Sequence, residues 1–211
     1  MTRFDADYYR RFYLDEETAV VTLDEVELRA AAVYFTARAF DIPIRRVLDV
    51  GGGIGLWGSA LKRLDPAIHY TLLEPSPSAI AIAKEQRAGD LDAIVQEGIL
   101  DYRGGERGFD LVLCAGVVQY LDEKSARRAL HRLARLTRYA LFFETFTQED
   151  VDKRRIDARS DDGHARPAGF YLRALKLRGL VHMGASLFFK EKAVPVMPWE
   201  LDRGASLQAG S

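Results

Sequence analysis

Between residues 45 and 145 the chain alternates short runs of β-branched and aromatic residues with longer stretches in which apolar positions recur every three or four residues. The runs at 47–51, 69–74, 92–96, 109–115 and 138–144 read as strands, and the stretches at 55–64, 77–88 and 122–136 read as amphipathic helices. Strands separated by roughly ten- to fifteen-residue helical patterns predict βαβ units. Their right-handed crossovers build a doubly wound parallel sheet. Ligands of such sheets bind beyond the carboxyl ends of the strands, where strand order reverses, so the residues that follow each strand become the candidates for chemistry.

The flanks are patterned differently. Residues 1–20 are aromatic and charged, with Phe4, Tyr8, Tyr9, Phe12 and Tyr13 spaced close to one face of a short helix. Thr22-Leu23-Asp24-Glu25 has the form of a capping box, and Val26, Ala30, Val33, Tyr34 and Ala37 follow at helical spacing, with Pro43 as the expected stop. Downstream, a helix over about 167–178 ends at Gly179, and residues 180–190 read as strand material. Pro195 and Pro198 make 193–199 a poor central strand, while a turn at Gly184 leaves two short strands, so the position of the last turn stays open.

The most specific chemistry lies in Val47-Leu48-Asp49-Val50-Gly51-Gly52-Gly53-Ile54-Gly55-Leu56-Trp57, which reads as strand, tight turn and helix start. Glycines at 51, 53 and 55 allow a sharp turn and close approach of the backbone to a ligand. A dinucleotide fingerprint begun at Gly51 would need glycine where Leu56 stands; begun at Gly53 it finds Gly55 and Gly58, so the spacing leaves a nicotinamide cofactor open. Asp49 favours a cationic ligand over a pyrophosphate. With its acid followed by alternating glycines, this stretch resembles the first motif of the class I S-adenosylmethionine-dependent methyltransferases. The resemblance implies an α/β fold with a mostly parallel, seven-stranded, doubly wound Rossmann-like sheet closed by an antiparallel hairpin, here with an N-terminal helical extension. It also implies S-adenosylmethionine as cofactor and S-adenosylhomocysteine as product.

Two further segments extend the likeness over about residues 45–145. The second strand ends in Glu74-Pro75, placing a carboxylate about twenty residues beyond the glycine turn, where both nicotinamide enzymes and methyltransferases bind a ribose diol. The fourth, Phe109-Asp110-Leu111-Val112, matches the family's pattern and runs into Cys114 and Ala115, which the resemblance places beside the methionine part of the cofactor. After the third strand the sequence departs from the family, with Ile99 where an adenine-binding Asp is usual. Either Asp101 reaches in, or Ile99 and Leu100 sandwich the ring while backbone groups read its edge, or Asp101 caps a turn.

The expected organisation is one domain over 1–203, with a helical cap at 1–45, a cofactor-binding core at 46–145 and a substrate-side insertion with the final strands at 146–203, followed by a disordered tail at 204–211. Thirty basic and 31 acidic residues nearly cancel, to a net charge of −1, which argues against a nucleic-acid partner. The short basic clusters, such as Arg127-Arg128, read as solvated helix faces. No apolar run has the length of a membrane span and no signal-peptide core is present, so a cytoplasmic protein is expected. The single Cys114 reads as a buried small hydrophobe, and no cluster has convincing metal-ligand spacing.

The acceptor is expected between the turn after the fourth strand, Gln119 and Tyr120, and two covers: the Tyr-rich N-terminus, with Tyr9 and Tyr13 as contacts, and the charged stretch 145–166. His164 and Glu144 are candidates to help the acceptor, and no catalytic residue is assigned. The reading is methyl transfer to a small molecule at oxygen or nitrogen. A non-catalytic nucleoside-binding module and a nicotinamide oxidoreductase remain as alternatives, and the sequence leaves the oligomeric state open.

Overall fold

The computed structural model describes residues 4–15, 18, 21–153 and 163–194. The expected tail, the prolines at 195 and 198, and 154–162 of the charged stretch lie outside these residues. Seven strands form one sheet: β1 (Arg46–Val50), β2 (His69–Leu73), β3 (Ala93–Val95), β4 (Phe109–Ala115), β5 (Thr137–Glu144), β6 (Leu180–Gly184) and β7 (Leu187–Lys190). Their order is β3-β2-β1-β4-β5-β7-β6. The first five strands are parallel, and β7 runs antiparallel to both β5 and β6. Chain order reverses between β1 and β4, so the glycine turn after β1 stands at the switch point.

Alternation along the strands divides the core. Val47, Leu72, Leu111, Leu113, Ala140 and Phe142 face one layer, which α2 (Leu23–Ala39), α3 (Leu56–Leu64) and α4 (Pro77–Arg87) help to cover. Leu48, Val50, Val112, Cys114, Leu141 and Phe143 face the other, built with α5 (Glu123–Leu136) and α7 (Ala168–Lys176). Residues on β4 and β5 are buried on both faces, as expected for central strands between helical layers.

Helix ends follow local chemistry. The capping box is present, with Glu25 N–H donating to the Thr22 hydroxyl at 3.3 Å and Thr22 N–H to the Glu25 carboxylate at 3.0 Å. The helix stops at Ala39, before the expected Pro43, because Asp41 takes the left-handed conformation at φ 56° and the N–H groups of Asp41 and Ile42 bond the carbonyls of Arg38 and Ala37. This is a Schellman ending with Asp in the usual glycine place. Two shorter helices flank the site: α1 (Ala6–Tyr9), which runs into a π turn at Arg10–Leu14, and α6 (Gln148–Asp152), whose N-terminus has its own Thr147/Asp150 capping box. No helix among the described residues is long and apolar enough to cross a membrane.

Candidate active site

The glycine turn is shaped by contacts on both sides. Gly51, Gly53 and Gly55 have φ of 66°, 57° and 80°. An added Cβ at Gly51 would lie 2.4 Å from Val117 Cγ2, and one at Gly52 would lie 2.4 Å from Asp49 Oδ2 and 2.7 Å from Leu72 Cδ1. At these two positions the backbone is packed to contact and leaves no room for a side chain. Gly58, the residue that kept the dinucleotide register open, has a packing role: a Cβ there would meet the Tyr70 ring at 2.9 Å.

Asp49 is buried beneath the turn, where its carboxylate accepts from the Tyr70 hydroxyl. Burial pushes its pKa up to about 7; the bond from Tyr70 opposes this and the nearby Glu74 charge adds to it. Glu74 is likewise buried at the end of β2, and its two oxygens accept from Gly53 N–H at 2.9 Å and Ser76 N–H at 2.8 Å. Burial raises its pKa, against the hydrogen bonds from Ser76, Gly53 and the Tyr9 hydroxyl. Pro75 stands between β2 and α4; the helix opens with Pro77 as its first residue, and the Ser76 hydroxyl accepts from Ala79 N–H at 3.3 Å as the N-cap. The structure thus joins the glycine turn to Glu74 by a direct bond. Tyr70 and Ser76 complete the arrangement; the first reads in sequence as an ordinary core aromatic, while the Ser-Pro step is a helix-start signal.

Ile99 is buried after β3 and Leu100 half-buried, both packed with the layer that holds Val50 and Leu73. Asp101 is exposed on the turn closed by its own N–H to the Gly98 carbonyl at 3.0 Å, and its charge acts on Arg132 of α5. Cys114 is fully buried, its thiol pushed up by burial and then by the Asp49 charge, and Ala115 is half-buried at the end of β4.

Both expected covers reach this region. Tyr9 is buried with a ring carbon close to Gly53, and the Phe4 carbonyl accepts from the Ser76 hydroxyl at 2.9 Å. The Tyr9 ring lies 5.7 Å from that of Tyr13, and the Phe4 ring 5.3 Å from that of Tyr120. Burial raises the pKa of Tyr9 and Tyr13, with neighbouring anionic or phenolic groups adding to the effect. Gln119 is buried on the turn after β4; its side-chain oxygen accepts from the Thr145 hydroxyl at 2.9 Å and its carbonyl from His164 N–H at 2.7 Å. The His164 side chain is exposed, and Glu144 pairs with Arg29 of α2 at 3.3 Å.

A model described as a methyltransferase domain matches residues 48–158, more than half of the chain. The chain belongs to the class I S-adenosylmethionine-dependent methyltransferase family. A methyltransferase of Clostridium acetobutylicum has the same fold at a TM-score of 0.65 and 13% identity, the match covering 85% of this chain and 87% of that one. The magnesium protoporphyrin IX methyltransferase of Synechocystis, solved with S-adenosylmethionine, matches at a TM-score of 0.63 and 15% identity over 87% of this chain and 88% of that one. In sequence, an uncharacterised protein of Synechococcus is 32% identical over 98 residues, 44% of this chain and only 24% of that protein's length.

One residue of this chain that pattern reading passed over is Arg166. It is buried, and its guanidinium donates to the carbonyls of Val118 and His164 at 3.3 Å, to the Leu121 carbonyl and to the Tyr171 hydroxyl, beneath the Phe170 ring. It therefore ties the turn carrying Gln119 and Tyr120 to α7. Arg166→Met leaves several buried acceptors unpaired and is expected to cost about 2–4 kcal/mol. A urea titration checks this against the exposed Arg173→Met; equal midpoints for the two variants would contradict it.

Proposed function

We propose that the protein transfers the methyl group of S-adenosylmethionine to a small-molecule acceptor at oxygen or nitrogen. The observation that carries the reading is the Glu74–Gly53 bond at the switch point, which couples a buried ribose-binding acid to a glycine turn packed too tightly for side chains. The residues fit the cofactor's charge as well. Asp49 and Glu74 are two buried carboxylates whose pKa values are both raised, so this pocket gains from a cation and disfavours a phosphate. The Glu74 oxygens accept from Gly53 N–H, Ser76 N–H and the Tyr9 hydroxyl, which leaves one acceptor position for a ribose hydroxyl and frees a second when Tyr9 moves away.

On this reading Gly51, Gly53, Gly55 and Asp49 form the methionine-side cradle, Glu74 with Pro75 sets the ribose, and Ile99 and Leu100 flank the adenine. Asp101, or backbone groups in its place, reads the adenine edge. Cys114 and Ala115 border the reacting end. When bound, the cofactor supplies a methyl group on a sulfonium, a carbon already activated toward an acceptor lone pair. Methyl transfer would leave S-adenosylhomocysteine as product, and the acceptor's proton would pass to water or a neighbouring base. The protein's part is alignment and exclusion of water. Tyr9, Tyr13, Gln119 and Tyr120 are the acceptor-side walls.

Calorimetry with S-adenosylhomocysteine and with NAD tests the reading. Micromolar binding of the first without the second supports it, and the reverse would overturn it. Mass-spectrometric screening for a 14-dalton gain across hydroxyl- and amine-bearing acceptors then separates an enzyme from a module that only binds the nucleoside.

A further inference from the structure

The starting ends of the parallel strands lie away from the glycine turn, and there cations from distant segments of the chain converge. Arg107 precedes β4, Arg138 is the second residue of β5, Arg178 follows α7, and Lys190 and Lys192 close and follow β7. With Glu191 they line a groove of about 370 Å³. The six steps of β5 from Arg138 to Glu144, at about 3.3 Å each, put this groove roughly 20 Å from the site end of the sheet.

The charges are not balanced within the groove. Asp110, beneath it, already accepts from the N–H groups of Arg45 and Arg46 at 3.0 Å and pairs with Arg138 at 3.6 Å. Glu191 is exposed. Lys190 is half-buried, its Nζ donating to the Arg178 carbonyl at 3.2 Å, and its pKa is lowered by burial and then by the Arg107 charge. The Nε of Arg178 is buried without a hydrogen-bond partner among the described residues. The walls are fixed by backbone bonds, Arg107 N–H to the Arg135 carbonyl at 2.7 Å and Glu191 N–H to the Gly179 carbonyl at 2.9 Å. Arg107 itself holds φ at 49°, a conformation that costs energy for a residue with a side chain.

The geometry points to a second ligand site here, one that takes a phosphorylated small molecule with a diphosphate or a longer polyphosphate group. Five cations against exposed Glu191 and buried Asp110, which pairs with Arg138, leave a surplus of three positive charges and call for more than a single negative charge. Guanidinium forks beside ammonium groups suit phosphoryl oxygens. The volume is that of a small-molecule pocket, too confined for a folded macromolecule. A net charge of −1 conceals this, because it averages over a polarised surface.

Calorimetry on the full chain with sodium pyrophosphate, at ionic strength matched with sodium chloride, tests the site. One-site binding is expected, weakened about tenfold in the exposed Lys192→Gln and at least as much in Lys190→Gln. Arg132→Gln, in the neighbouring groove formed with Arg103 and Arg135, should leave affinity unchanged. Parallel titrations with ADP and ATP identify the source of the phosphoryl group, since tighter binding than pyrophosphate assigns a nucleotide and equal binding a free diphosphate. Absence of pyrophosphate binding below about 1 mM overturns the proposal. So does affinity indifferent to both lysines in variants that melt like the wild type, or tighter binding of an acidic peptide or an RNA oligonucleotide.

Discussion

Glu74→Ala is expected to weaken S-adenosylhomocysteine binding by about tenfold to a hundredfold, the equivalent of one or two charge-assisted hydrogen bonds at roughly 1.5–3 kcal/mol in total. The loss has two parts. The ribose acceptor disappears, and Gly53 N–H and Ser76 N–H lose the carboxylate that orients the turn and the start of α4. Glu74→Gln separates them, because the amide oxygen can still serve one of these N–H groups while the charge is gone. Calorimetry on both variants, with circular dichroism to confirm folding, decides the assignment. A dissociation constant unchanged in a folded Glu74→Ala would remove Glu74 from the site.

Affinity for S-adenosylmethionine is also expected to rise with pH through about 7, the value to which Asp49 is pushed. The folded pKa lies above the ordinary 3.8, so the carboxyl's contribution to stability is fully present below about 3.8 and is lost as pH rises through about 7. At about 1.4 kcal/mol per pKa unit the unliganded fold forgoes on the order of 4 kcal/mol across that window. A cation at the glycine turn favours the ionised carboxylate and recovers part of it. S-adenosylmethionine should therefore bind with release of a proton near pH 6, and more steeply with pH than S-adenosylhomocysteine, whose sulfur is neutral. Asp49→Asn should flatten the dependence and raise the thermal stability of the unliganded protein near neutral pH. Titrations in two buffers of different ionisation enthalpy count the proton; a flat S-adenosylmethionine affinity between about pH 5.5 and 8 would contradict the linkage.

The parallel core and its main acid were legible because glycine and hydrophobic alternation are local signals. β1, the turn at Gly51–Gly55, Glu74 and β4 all stand where the sequence predicts them. What escaped depends on distance or on unusual turn chemistry. The final hairpin turns through Ala185 and Ser186, with φ of 47° and 62°, a primed turn built without the Asn-Gly pair that announces one. The end of α2 was missed for the same reason, since Asp41 does what glycine ordinarily does. Tyr70 reads as core because nothing in a strand's pattern says that its hydroxyl meets Asp49, 21 positions away. The polarised distribution of arginines is invisible to composition for a similar reason, as Arg107, Arg138 and Arg178 come from three separate segments.

The seat of Tyr9 on Gly53, with its hydroxyl at Glu74, makes exchange of the nucleoside a question of timing. On the proposed reading Tyr9 covers the carboxylate that would hold the ribose, and the nucleoside would enter or leave only when residues 4–14 lift away. The segment is held to the rest of the chain by the Tyr9 ring on Gly53, the Phe4 ring against Tyr120, and hydrogen bonds from the Ser76 hydroxyl to the Phe4 carbonyl and from the Tyr9 hydroxyl to Glu74. If that attachment is worth about 2 kcal/mol, the gate stands open roughly 3% of the time and both arrival and departure slow by a factor of about 30, with the equilibrium constant set elsewhere. On the proposed reading product would then linger, and the clock of the cycle would be the lifting of a short aromatic segment rather than the methyl transfer itself.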